Sequence, residues 1–150
     1  RRAHLEGRVA AMGLRDDVRF TGNQDDVPGW FACAELAVLP SFGDEGVPQS
    51  LMQAAACGLP AVSTPIGAIA EAVLDGETGL LVPPRDPVQL GSALERLMLD
   101  AALRARMGRA AHAYAHANFG IDRMLDGMEA DFVGRTVGEA AFDSAAGHPD

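Results

Sequence analysis

With 150 residues, 48% of them apolar and 22% charged, the chain is long enough for one domain with a real core and short for two. A formal net charge of −9 repels polyanions at long range, which excludes a general affinity for nucleic acid or anionic lipid and leaves room only for local anion sites. No apolar run approaches the roughly 20 residues that span a bilayer and no signal peptide opens the chain, so a soluble, cytoplasmic protein is expected. Cys33 and Cys57, flanked by alanines on helical patterns and lacking a metal-ligand spacing, are expected to be small buried apolar residues.

Residues 1–12 carry a helical pattern that stops at Gly13; with no initiator Met and no capping residue before Arg1, the chain reads as starting inside an element. Val18-Arg19-Phe20-Thr21 predicts a short strand, and Asp25 or Asp26 caps a helix through Trp30 and Phe31 to about Ala34. Leu36-Ala37-Val38-Leu39 predicts a buried strand. Pro48 at a first helical position and Gly58 past the last turn bracket a helix from Gln49 to Cys57, and Ala61-Val62-Ser63-Thr64 predicts the next strand. A Pro65-Ile66-Gly67 turn, a short helix over 68–74 and the polar turn Asp75-Gly76-Glu77-Thr78-Gly79 lead to a strand at Leu80-Leu81-Val82. Asp86 caps a helix opened by Pro87, with Gln89 as capping-box partner and a stripe of Val88, Leu90, Ala93, Leu94 and Leu97. Another helix runs from Asp100 to about Asn118. A last amphipathic helix over 121–133 aligns Met124, Leu125, Met128 and Phe132, and residues 134–150, without apolar periodicity, are expected to be disordered. One domain over 1–133 with a tail over 134–150 follows.

The strand, loop, helix, strand order around residues 40–48 is a βαβ unit, so that loop lies outside the carboxyl end of a parallel strand, where open α/β sheets bind ligands. A helix starting at Pro48 offers free backbone donors at Gln49, Ser50 and Leu51 and the positive end of its dipole, which together suit a diphosphate. Gly46 lets backbone and ligand approach closely, and the Ser50 hydroxyl adds a donor. Glu45 could accept hydrogen bonds from vicinal sugar hydroxyls, or be an ordinary loop carboxylate near a helix start; Gln53, one turn on, could meet a ribose diol or be a surface glutamine. His112 and His116, four apart on one helix, fit a solvated surface better than a metal site.

The run Leu39-Pro40-Ser41, then Glu45-Gly46, then Gln53-Ala54-Ala55-Ala56-Cys57-Gly58-Leu59-Pro60-Ala61-Val62-Ser63 resembles the retaining glycosyltransferases of family 4, which have the two-Rossmann GT-B architecture. Val18-Arg19-Phe20-Thr21-Gly22, the Gly67 turn with Glu71, Asp75-Gly76-Glu77-Thr78-Gly79-Leu80-Leu81-Val82-Pro83-Pro84 and the helix after Asp86 fall in that family's order, so the resemblance covers residues 1–132. It implies an α/β fold, the Rossmann-like parallel-sheet C-terminal half of GT-B, which binds a nucleotide sugar. The hydroxyl acceptor, a glycan, lipid or small molecule, would be held largely by an N-terminal domain. Peripheral membrane association of a parent protein is compatible with this picture.

The same resemblance implies a catalytic role for Glu45 as the first glutamate of an E-x7-E motif, bonding the donor sugar and supporting its departure. Gly46, Val47, Pro48, Gln49, Ser50 and Leu51 would form the donor-binding segment, with Asn23 and Gln24 near the nucleobase. No metal and no cofactor is implied; the nucleoside diphosphate sugar is a substrate. Two departures stand out. Gln53 occupies the second glutamate's position, and a glutamine in place of that carboxylate costs on the order of 1 kcal/mol, about fivefold in donor affinity. The family's first two strands, with the Arg and Lys that neutralise the leaving diphosphate, have no counterpart, so the chain is expected to be marginally stable alone or rearranged, and inactive alone. A non-catalytic nucleotide-sugar-binding module, an inactive homologue and a nucleotide-sugar epimerase are the alternatives; a two-component receiver, which needs a downstream lysine, is excluded because the chain has none.

Overall fold

The computed structural model describes residues 2–120, and the helix and tail expected over 121–133 and 134–150 lie outside the described residues. In chain order the elements are α1 (Arg2–Ala11), α2 (Val27–Ala32), β1 (Ala37–Leu39), α3 (Gln49–Ala56), β2 (Ala61–Ser63), α4 (Ile69–Ala72), β3 (Gly79–Leu81), α5 (Pro87–Leu99) and α6 (Ala101–Asn118). The strands form one parallel sheet in the order β1-β2-β3, with Val38 opposite Val62 and Val62 opposite Leu80. β1 connects to β2 through α3 and β2 to β3 through α4, the helical crossovers that parallel neighbours require. The middle strand β2 is buried along its whole length, whereas Val38 on β1 is 43% exposed.

Alternation along the strands divides the core between the two faces of the sheet. Val62, Leu80 and Val82 pack with Ala93, Leu97 and Met107 of α5 and α6 on one side. Ala61 packs with Leu51, Ile69, Ala72 and Val73 on the other. Small residues bring α6 close to α3: Ala111 and Ala115 bury against Ala55.

Local chemistry sets the helix starts. Asp26 accepts from the Gly29 N–H, and Asp100 from the Leu103 N–H at 2.8 Å. Asp86 accepts from the backbone N–H groups of Val88 and Gln89, and the Gln89 side chain reaches the Asp86 carboxylate at 3.0 Å, so the box closes side chain to side chain. The Gln89 N–H and then the Gln89 amide hold the Asp86 carboxyl below its ordinary value, with desolvation opposing and the Val88 N–H adding to the lowering.

Four expectations are corrected. Residues 18–21 form no strand, because among the described residues no strand runs beside them to complete a ladder; the Phe20 carbonyl instead accepts from Arg2 on α1 at 3.3 Å. Pro48 is the N-cap of α3, with ψ 119° that holds it extended, and the helix begins at Gln49. Val88, 75% exposed, lies off the buried stripe of α5. Both cysteines are free and exposed, each at the C-cap of a short helix rather than on its inner face. Cys33 and Cys57 are therefore expected to react with Ellman's reagent in native buffer, giving two thiols per chain before any denaturant is added; release only after unfolding would contradict the exposed caps.

Candidate functional site

The loop between β1 and α3 is held from below by the end of β2. Ser63 donates to the Leu39 carbonyl and Thr64 to the Ser41 carbonyl, each at 2.6 Å, and both hydroxyl residues are buried. These bonds satisfy the last carbonyl of β1 and a carbonyl of the loop that follows it. Ser41 then turns its own hydroxyl to Glu45 and donates to Oε1 at 2.8 Å. The Glu45 carbonyl accepts from the Ala68 N–H at 3.0 Å, and Gly67, with φ 55°, lies directly beneath it. A Cβ at residue 67 would overlap the Glu45 carbonyl oxygen, so this position requires glycine for space as well as for its left-handed backbone.

Glu45 is thereby fixed, half-buried, beyond the carboxyl end of β1 and just before α3. The Leu51 N–H, expected to be free, donates to the Pro48 carbonyl at 3.0 Å; with Pro48 outside the helix, the first turn closes on that carbonyl. Gln49 and Ser50 keep N–H groups without a protein partner among the described residues, and no side chain caps α3. Gly46 and Val47 connect Glu45 to this helix start, and a Cβ at residue 46 would meet nothing within 4 Å.

Gln53 is exposed one turn along α3 and borders, with Gln49, Met52, His116 and Phe119, a hollow of about 330 Å³ between α3 and α6. Asn23 and Gln24 lie before α2, away from this loop in sequence, and the Gln24 carboxamide is engaged at both ends. It donates to the Thr21 carbonyl and accepts from the Trp30 indole, each at 2.7 Å. His112 meets the Ala56 carbonyl at 2.7 Å at the end of α3, and its ring packs edge-on against His116; among the described residues no group of three or more ligating side chains forms a metal site.

Sequence reasoning passed over Ser41, Ser63, Thr64 and Phe42. Two hydroxyl residues ending an otherwise apolar strand at its carboxyl edge were the available signal. Phe42, exposed in the same loop, lies 5.4 Å below the Arg85 guanidinium, and the two border a hollow of about 160 Å³ at the carboxyl ends of all three strands. Among the described residues Arg85 alone is a non-glycine with left-handed φ, 61°, which costs on the order of 1 kcal/mol.

A carboxylate and an open helix start thus lie together at the carboxyl edge of a parallel sheet. The model of the glycosyl transferases group 1 family matches residues 1–100. The chain belongs to this family. A D-inositol 3-phosphate glycosyltransferase of Salinispora tropica is 38% identical over 141 residues, 93% of this chain and 29% of that protein. Sucrose-phosphate synthase from Thermosynechococcus elongatus superposes with a TM-score of 0.81 at 29% identity, over 93% of this chain and 35% of its own. Anabaena HepE, solved in complex with UDP-glucose, shares the fold at TM-score 0.82 and 23% identity, over 88% of this chain and 36% of its own. The group 1 glycosyl transferase chain thus spans under a third of the curated relative's length, and its three-stranded parallel sheet is part of a Rossmann-like half of the GT-B architecture.

Proposed function

We propose that this chain is the donor half of a retaining glycosyltransferase, family 4 in type, that transfers a sugar from a nucleoside diphosphate to a hydroxyl acceptor. The carrying observation is the placement of Glu45, anchored through Ser41 and Ala68, directly before an uncapped helix start with free N–H groups at Gln49 and Ser50. The two N–H groups and the helix dipole suit the diphosphate, and the carboxylate suits hydroxyls of the attached sugar. Gly46 and Val47 lie between them; neither a left-handed φ nor a neighbouring protein atom demands glycine at 46, which is consistent with close approach by a ligand. Gln53 is assigned to the ribose. Asn23 is assigned to the base, with Gln24 acting on it through the Trp30 and Thr21 bonds that brace the loop. A UDP-sugar is the first donor to examine, because HepE was solved with UDP-glucose. The name of the Salinispora relative makes D-inositol 3-phosphate the first acceptor.

As charge develops on the leaving phosphate, the Gln49 and Ser50 N–H groups are already oriented toward it and need no reorganisation in the transition state. Glu45 holds the sugar as its bond to the phosphate breaks. In the full-length protein, Glu45→Ala is expected to lower transfer on the order of a hundredfold, a magnitude typical of a lost transition-state contact. A transfer rate and donor affinity equal to those of the unaltered protein would remove Glu45 from the site. NMR of the product decides retention directly.

Gln53 favours a second reading, a module that binds a nucleotide sugar without transferring it. Calorimetry with UDP-glucose, GDP-mannose and ADP-glucose, together with a transfer assay on the same preparation, separates the two; binding without turnover supports the module.

A further inference from the structure

We propose that Ser41 is a positioning residue that fixes which oxygen of Glu45 is offered to ligand, and that Thr64 acts through it. The inference rests on the donor-site reading above and extends it to residues that touch no substrate. The chain of contacts starts in the core. Thr64, 2% exposed at the end of β2, donates to the Ser41 carbonyl at 2.6 Å; the Ser41 hydroxyl donates to Glu45 Oε1 at 2.8 Å. The first is short for an O–H···O bond and the second is of ordinary length, with a carboxylate acceptor that strengthens it. The Glu45 main chain is clamped separately by the Ala68 N–H and the absence of a side chain at Gly67. Backbone and carboxylate are thus held by different groups, and among the described residues Ser41 alone hydrogen-bonds the carboxylate.

Because Oε1 already accepts from Ser41, Oε2 is the oxygen with no partner among the described residues. A carboxylate held this way offers Oε2 to a sugar hydroxyl in a fixed direction. Freed from Ser41, it rotates and samples geometries that do not meet the ligand, a loss of preorganisation rather than of charge.

The test uses the full-length protein with UDP-glucose, GDP-mannose and ADP-glucose as probes. Titration calorimetry is run on the unaltered chain and on Ser41→Ala, Ser41→Thr, Thr64→Val, Thr64→Ser and Glu45→Ala. Ser41→Ala is expected to weaken binding of whichever probe the unaltered chain holds by about tenfold, the worth of a charge-assisted bond. Ser41→Thr, which keeps the hydroxyl, should stay within threefold. Thr64→Val should weaken binding about threefold and Thr64→Ser restore it. In a Glu45→Ala background, Ser41→Ala should add nothing, since its effect runs through the carboxylate.

Ser41→Ala within twofold of the unaltered chain, or an equal tenfold loss with and without Glu45, overturns the positioning role. Loss on Glu45→Ala with none on Ser41→Ala overturns this inference alone. Failure of all three probes to bind, or unchanged binding by Glu45→Ala, overturns the donor-site reading beneath it. Circular dichroism melts on the same samples exclude unfolding as the cause, and the conservative pair Ser41→Thr and Thr64→Ser keeps the question answerable if a truncation misfolds.

Discussion

Replacing Gly67 by alanine is expected to destabilise the domain by about 2–4 kcal/mol and to displace the Glu45 loop. Two effects add. A non-glycine residue at φ 55° costs about 1 kcal/mol, and forcing a methyl into occupied space costs a further 1–3 kcal/mol. The occupied space is the Glu45 main chain itself, with its nitrogen 3.0 Å from where the Cβ would stand, so relief requires the loop to move. Gly76 supplies an internal control: it has φ 75°, but a Cβ there would meet nothing within 4 Å. Gly76→Ala should show only the backbone cost, with donor binding unchanged. Urea midpoints for both variants, with donor affinity measured alongside, check the difference. Equal stability and equal binding for the two would mean that the contact beneath Glu45 is relieved without cost.

Leu97→Ala is expected to cost about 2–5 kcal/mol, while truncation of either of the next two residues is nearly silent. Leu97, Met98 and Leu99 are consecutive apolar residues near the end of α5 with exposures of 0%, 66% and 80%. Only Leu97 enters the cluster with Val62, Leu80 and Met107, so its truncation leaves a cavity that a packed sheet-helix layer collapses poorly. Met98→Ala and Leu99→Ala remove side chains that already face water and should stay within about 0.5 kcal/mol. A urea series at constant slope measures all three. A loss below 1 kcal/mol at Leu97 would show that the α5 face of the sheet is loosely packed.

Much of the element order was legible because its signals are local. Asp26, Asp86 and Asp100 each announce a helix within three residues, and each accepts the expected backbone bonds. Pro48 illustrates the limit of such signals: its fixed φ suits a first helical residue and an N-cap alike, and its extended ψ makes it the cap. The Leu51 N–H, third in α3, closes a tight i−3 bond on the Pro48 carbonyl, so two free donors remain where three were expected. Residues 18–21 have strand propensity, but a strand exists only with a neighbour to bond, and pairing is a property of the whole sheet. The cysteines were misjudged for a related reason: a small residue among alanines is buried only if its helix turns that face inward.

What the sequence by itself determined is the βαβ frame, the position of a carboxylate ahead of a helix start, and the family. These follow from short-range patterns that survive in one dimension. Only the tertiary structure decided how Glu45 is held. The groups that hold its backbone and carboxylate are Ser41, Thr64, Gly67 and Ala68, and the last three come from the next strand and its turn, about twenty residues along the chain. Parallel pairing of β1 with β2 brings the carboxyl ends of the two strands side by side, and that adjacency turns a loop glutamate into an oriented one.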